Sequence, residues 1–160
     1  MNPGIKSLCN IASRGKEILR KWTEQNYLIL TDRYVFSNIA FQSAKLTDEQ
    51  EMDDLSGWIK YLEFEYNRIP KPDINLFLDV PFGFIKSRLK SKRHGSDREY
   101  LRGKEDIHEK DLTFQQRVRN TYLREIEREK DFMLIDCRDD SGNMQKPAEI
   151  HKRILSSLKL

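Results

Sequence analysis

Residues 27–42, YLILTDRYVFSNIAFQ, decide the fold. The apolar run 27–31 predicts a short buried strand, with Asp32 and Arg33 at its end. Residues 34–44 then read as a helix with Ile39 and Ala40 turned inward. An acid and a guanidinium at the C-terminal end of a strand lie where open α/β sheets bind their ligands. The arginine can fork two bonds onto a phosphate, and the aspartate can hold a cation or orient an acceptor oxygen. Ser37, Asn38 and Gln42 bring short hydrogen-bonding side chains into the following helix, and the amides match the paired donor and acceptor edge of a base. Phe41 can pack on a ring or fill an ordinary core position. The competing reading of the Asp32-Arg33 pair is a plain loop with a surface salt bridge.

Working outward, residues 8–25 predict a helix with Ile11, Ile18, Leu19 and Trp22 on one face. Thr47 and Gln50 have capping-box spacing before a helix whose Leu55, Trp58, Ile59, Leu62 and Tyr66 form an apolar stripe. Pro70 and Pro72 break that helix. Residues 74–79 predict a strand apolar on both faces, as in a sheet covered on both sides, and Pro81 opens a helix running to about Lys92. Residues 93–110 are polar, charged and hold two glycines, which predicts a lid or binding loop. A helix over 111–130 carries Val118, Tyr122 and Ile126. A strand over 132–136, a loop over 137–146 and a helix over 147–158, with Ile150, Ile154 and Leu158 inward, complete the chain. Strands alternating with helices predict βαβ units and a parallel sheet, in one domain covering 1–160.

Composition narrows the function classes. With 38% hydrophobic and 34% charged residues, the chain is polar yet aromatic enough to fold, and no apolar run approaches the roughly 18–20 residues of a membrane span. The N-terminus lacks the apolar core of a signal peptide. Cys9 and Cys137 match no metal spacing and read as reduced thiols of a cytoplasmic protein. The net charge of +3 is too small to imply nucleic acid. Eight Lys and Arg between 86 and 104 nonetheless make a local cationic segment suited to a polyanion, or else a solvated helix end and loop. From the lid, Arg93, Arg98 and Arg102 can close over phosphates. His94, His108 and His151 have no metal-binding spacing. The phosphate cradle G-x-x-x-x-G-K-S/T does not occur: Gly15-Lys16 and Gly103-Lys104 lack both the first glycine and the following hydroxyl residue.

Taken together, these motifs resemble the thymidylate kinase family. DRYVFSNIAFQ (32–42) is similar to its D-R-Y/H-x-x-S segment, and KPDINLFLDVP (71–81) to its P-D-x-x-x-x-L-D-V-P strand and turn. The basic lid, Glu109, the FQQRV helix start (114–118), Tyr122 and Ile135-Asp136 follow in the family's order, and LCNIASR (8–14) resembles its segment with a base-contacting arginine. The resemblance implies an α/β fold of the P-loop nucleoside-monophosphate kinase type, a doubly wound parallel sheet with flanking helices. It implies transfer of the γ-phosphoryl group of ATP to dTMP with Mg²⁺, a transferase step of nucleotide biosynthesis. Asp32, Arg33, Arg93 and Arg98 would be catalytic, with Asp32 near the metal. Arg14, Arg33, Ser37, Asn38, Phe41 and Gln42 would bind dTMP. Arg93, Cys137 and Arg138 would border the ATP. Family members are usually cytoplasmic homodimers, with neither nucleic acid nor membrane as partner.

The chain departs from the family at its start, where only seven residues precede Leu8, too few for the family's first strand, P-loop and first helix. That first strand lies between the strands matching 27–31 and 74–79. The expectation is an N-terminally incomplete family member lacking the first strand and P-loop. Two rival readings are a non-catalytic nucleotide-binding or regulatory module of the same family, and a basic nucleic-acid-binding domain resting on 86–104 alone.

Overall fold

The computed structural model describes residues 5–9, 15–90 and 112–158. Arg14, Arg93, Arg98, Arg102 and the whole predicted lid lie outside these described residues. Two compact units divide the chain, Met1–Asp73 and Ile74–Leu160.

In the first unit, strand β1 (Ile5–Cys9) runs parallel to β2 (Leu28–Asp32) in the register Ile5↔Leu28 to Cys9↔Asp32. Helix α1 (Gly15–Glu24) lies between them in sequence, as a parallel pair requires a crossover. The helix predicted from residue 8 is therefore corrected: Leu8 and Cys9 are strand, and α1 begins at Gly15. Leu19 is buried as expected, but Ile18 is 40% exposed. Asn26 ends α1 in a left-handed conformation, φ 56°, with its amide donating to the Thr23 carbonyl and the Tyr27 amide to that of Trp22. Asparagine is among the few residues that take this closing position at low cost.

Helix α2 (Val35–Ser43) presents Phe36, Ile39, Ala40 and Ser43 inward at spacings of three and four, all buried. Burying an isoleucine such as Ile39 contributes about 1.5–3 kcal/mol. Ser43 spoils the arc: its Oγ is buried and has no hydrogen-bond partner among the described residues. Ser43→Ala removes that desolvated hydroxyl and is expected to raise the urea midpoint by the equivalent of about 1 kcal/mol.

Helix α3 (Glu49–Lys60) is capped by Asp48, whose Oδ1 accepts from the Glu51 amide at 2.9 Å. The cap thus falls one residue later than the Thr47–Gln50 spacing predicts, with the Asp48 carboxylate taking the free amide. The buried arc of α3 is Ser56 and Ile59, while Trp58 stands 58% exposed. A π-helical turn, Tyr61–Tyr66, extends α3, and the Asn67 amide closes it on the Leu62 carbonyl at 2.8 Å. This wider turn takes Tyr66 off the predicted stripe into solvent.

In the second unit, β3 (Asn75–Asp79) lies parallel to β4 (Phe132–Asp136), in the register Asn75↔Phe132 to Asp79↔Asp136. Helices α4 (Phe82–Lys90), α5 (Leu112–Arg128) and α6 (Pro147–Leu158) complete it. Each face of the pair carries a packed cluster, but the cover predicted from the apolar run of β3 is incomplete, with Leu78 and Leu134 left exposed. On one face Ile135, Cys137 and Ile150 form a buried cluster against Leu76, Val80, Met144 and Ile154. On the other, Phe77 stacks on Tyr122 of α5 at 4.6 Å, and Tyr122 meets Phe132 edge-on at 6.2 Å. The Pro81 carbonyl accepts from the amides of Phe84 and Ile85 at the start of α4. No described helix is long and apolar enough to cross a membrane.

Candidate functional site

The strands β2, β3 and β4 each end on an aspartate: Asp32, Asp79 and Asp136. The three carboxylates have different surroundings.

Asp32 is exposed and makes no ion pair or hydrogen bond among the described residues. It does not pair with Arg33, so the surface-salt-bridge reading of this tripeptide does not describe it. Arg33 has φ 64°, a left-handed conformation that costs a residue with a Cβ on the order of 1–2 kcal/mol. Its guanidinium lies over the Phe41 ring, 5.2 Å from the centroid. At an exposed site such a stack contributes about 0.5–1 kcal/mol, less than the backbone strain costs.

The rest of α2 continues the same surface. Asn38 and Gln42 are exposed, and Ser37 and Phe41 half-buried, on the side away from Phe36, Ile39 and Ala40. The Gln42 Oε1 accepts from the Lys45 ammonium at 2.9 Å, which leaves its amide NH₂ as a donor. Thus Ser37, Asn38, Phe41 and Gln42 share the outward edge of α2, with Asp32 and Arg33 just before its start.

Tyr34, which sequence reasoning passed over, anchors this corner. Its hydroxyl donates to the Pro70 carbonyl at 2.7 Å, and its ring meets Phe64 at 6.4 Å between centroids. Burial, reinforced by the negative charge of Glu63, pushes its phenol up to about 12.

In the second unit a cavity of about 300 Å³ opens at the end of β3, lined by Asp79, Val80, Pro81, Phe82, Gly83, Gln116, Arg119, Arg138 and Gly142. Asp79 is nearly buried and receives two bonds from Arg119, both of 2.6 Å. This carboxylate holds the Arg119 guanidinium still more firmly protonated than usual. Asp136 is grasped by the side chain of Arg138, at 2.8 Å on each oxygen, and by its amide at 2.9 Å. From α6, Arg153 donates to the carbonyls of Asp136 and Arg138, fixing the turn from behind. Asp139 accepts from the amides of Ser141 and Asn143, with Gly142 at φ 79° where a side chain would be strained. Cys137 points inward: its thiol is buried, burial raises its pKa, and its amide donates to the Asp79 carbonyl. Arg138 is therefore the member of that pair facing the cavity. Sequence reasoning also missed Asp79 and Arg119. Their signal was a third strand ending on an aspartate, but the partner 40 residues away carries no local mark.

Arg138 holds the Asp136 carboxyl below its ordinary value of 3.8. A depressed carboxyl contributes stability above the unfolded-state pKa and loses it as pH falls through the folded one. Asp136→Asn is expected to lower stability slightly at neutral pH and to converge on the parent below about pH 4, which flattens the acid limb of a stability–pH profile. Urea midpoints measured between pH 2 and pH 7 check this.

Comparison with known proteins identifies what these units build. The model of the thymidylate kinase family matches residues 8–147, most of the chain. The chain belongs to the thymidylate kinase family. It is 31% identical to the probable thymidylate kinase 1 of Saccharolobus solfataricus over 121 residues, covering 76% of this chain and 52% of that protein. It is 30% identical to the thymidylate kinase of Thermosipho melanesiensis over 143 residues, covering 88% and 64%. The structure of thymidylate kinase from Candida albicans matches with a TM-score of 0.55 at 20% identity, covering 92% of this chain and 64% of that one. The chain thus spans between about half and two thirds of the length of these relatives. The structural likeness shows the fold, a P-loop nucleoside-monophosphate kinase fold with parallel strands and flanking helices. Every thymidylate kinase family residue located above, from Asp32 to Arg138, lies inside the matched span.

Thymidylate kinases use ATP as phosphoryl donor, generally with Mg²⁺. No group of three potential metal ligands occurs among the described residues. Magnesium at such sites takes one or two protein carboxylates and completes its shell with water and substrate phosphates. Asp32, exposed and free of any cationic partner among the described residues, fits as one of those carboxylates.

Proposed function

We propose that this chain carries the acceptor half of a thymidylate kinase site, binding dTMP and taking part in its phosphorylation by ATP to dTDP and ADP. In this reaction an oxygen of the dTMP phosphate attacks the γ-phosphorus, and the bond to the ADP oxygen breaks. Catalysis of such transfer is mostly positioning and charge stabilisation. Arg33 clamps the dTMP phosphate. Asn38 and Gln42 meet the edge of the base, with Ser37 beside them and Phe41 toward the sugar. Asp32 holds Mg²⁺, which supplies charge neutralisation between the phosphates when bound. Arg138 and the cavity at the end of β3 border the ATP. By resemblance, Arg14 joins the base site, and Arg93 and Arg98 act from the lid, Arg93 also against the adenine. A cytoplasmic homodimer belongs to the same reading.

The observation that carries the proposal is the strained, exposed Arg33 at the mouth of β2, flanked by the polar edge of α2, in a chain of this family. Donor phosphates need a backbone cradle as well, and these 160 residues contain no G-x-x-x-x-G-K-S/T. Among the described residues, β2 pairs with β1 and β3 with β4. The test is calorimetric titration of the chain with dTMP, thymidine and dUMP. A coupled ADP-release assay then runs with the chain alone and with a glycine-rich strand–loop–helix segment supplied. Binding of dTMP well above thymidine is expected, with turnover appearing when the segment is present. Failure to bind dTMP rejects the proposal.

A further inference from the structure

We propose that Tyr34 is a positioning residue for Arg33: its hydroxyl, anchored on the Pro70 carbonyl, holds the left-handed turn that aims the guanidinium. The inference rests on the reading of Arg33 as the clamp on the acceptor phosphate. A left-handed residue that is not glycine stays in place only when both flanks are fixed. On the upstream side, Asp32 is fixed by its register with Cys9. On the downstream side, Tyr34 is fixed three times over. Its carbonyl accepts from the Ser37 amide at 3.0 Å as α2 begins. Its ring packs against Phe64, and its hydroxyl reaches Pro70, 36 residues away, at 2.7 Å.

The hydroxyl does not serve the helix, because Tyr34 occupies the N-cap of α2 without any side-chain capping bond. Nor is the anchor loose: Ile69, next to Pro70, is buried, and its amide donates to the Glu63 carbonyl at 3.0 Å. Pro70 itself has no N–H to donate, so its carbonyl is the polar group it offers. With Asp32 and Tyr34 both held, the direction of the Arg33 side chain from the backbone is set, and the guanidinium settles over Phe41. Releasing the hydroxyl frees the rotation of the Arg33–Tyr34 peptide and scatters the guanidinium, without touching the base-facing residues of α2.

Tyr34→Phe in the full chain tests this with two readouts. The first is the NMR resonance of the Arg33 Nε–H, assigned by its loss in Arg33→Lys and displaced in the parent protein by the ring current of Phe41. The second is calorimetric affinity for dTMP against thymidine. The expected result is a return of the Arg33 resonance toward its free position and a loss of dTMP affinity of about tenfold, the scale of one hydrogen bond, with thymidine affinity unchanged. An unmoved Arg33 resonance, or equal losses for dTMP and thymidine, overturns the proposal. If the parent chain binds neither ligand, the functional reading fails, while the resonance still decides whether Tyr34 positions Arg33. Should Tyr34→Phe not fold, Phe64→Leu loosens the ring contact that seats the hydroxyl on Pro70, and the same shifts are expected at smaller amplitude.

Discussion

Arg33→Ala and Arg33→Gly are both expected to lower dTMP affinity about 100-fold, the lower end of the ~2–5 kcal/mol lost when one partner of a close charge pair is truncated. Thymidine, which has no phosphate, should bind either variant as it binds the parent. The two variants should differ in stability. Alanine keeps a Cβ in the left-handed turn and loses the stack over Phe41, so it should cost about 0.5–1 kcal/mol. Glycine loses the same stack but relieves roughly 1–2 kcal/mol of backbone strain, less about 0.5–1 kcal/mol of extra chain entropy in the unfolded state. Its stability should therefore equal or slightly exceed that of the parent. Calorimetry and urea denaturation on the three proteins read both quantities. Retained dTMP binding in either variant would remove Arg33 from the phosphate site.

Arg119→Ala is expected to destabilise the second unit by about 3–5 kcal/mol, the cost of leaving a buried charge without its partner. Asp79 is only 5% exposed and Arg119 29%, so the two halves of the pair respond unequally. Removing the cation strands a carboxylate that is nearly buried. Removing the carboxylate leaves a guanidinium that can turn outward, so Asp79→Ala should cost only about 1–2 kcal/mol. The double variant Asp79→Leu/Arg119→Leu should recover most of the loss, since apolar replacement of a buried pair is often neutral. Trp22 and Trp58 both lie in the first unit, so tryptophan fluorescence would follow the wrong part of the chain. Hydrogen exchange at the β3 and β4 amides is the measurement that follows the right one. Equal losses from the two single substitutions would contradict this asymmetry.

What the sequence made legible follows the range of the forces involved. The strand 132–136 and the helix 147–158 have the predicted bounds, because a short apolar run and a proline at the first helical position define them. The helical expectation fails at Leu8 and Cys9 because their strand identity comes from pairing with β2, 23 residues later, which no local pattern announces. On α3 the eye follows Leu55 and Trp58, whereas the buried arc runs through Ser56, a small polar residue that hydrophobic periodicity passes over. The site divides the same way. Asp32, Arg33 and the polar residues of α2 could be read from their order after a strand. The left-handed backbone of Arg33, the reach of Tyr34 to Pro70 and the Asp79–Arg119 pair are tertiary facts, created only when distant segments meet.

The short strands carry one more consequence, and it concerns handling rather than catalysis. Leu28 and Leu30 stand 54% and 62% exposed on β2, Leu78 and Leu134 more than 40% exposed on β3 and β4. A leucine-rich strand with an edge that is unpaired among the described residues is a template for another chain's backbone. Lowering protein concentration and keeping the pH well below the isoelectric point of about 8.8 should therefore favour a monodisperse sample, with colloidal repulsion holding the leucine-bearing edges apart.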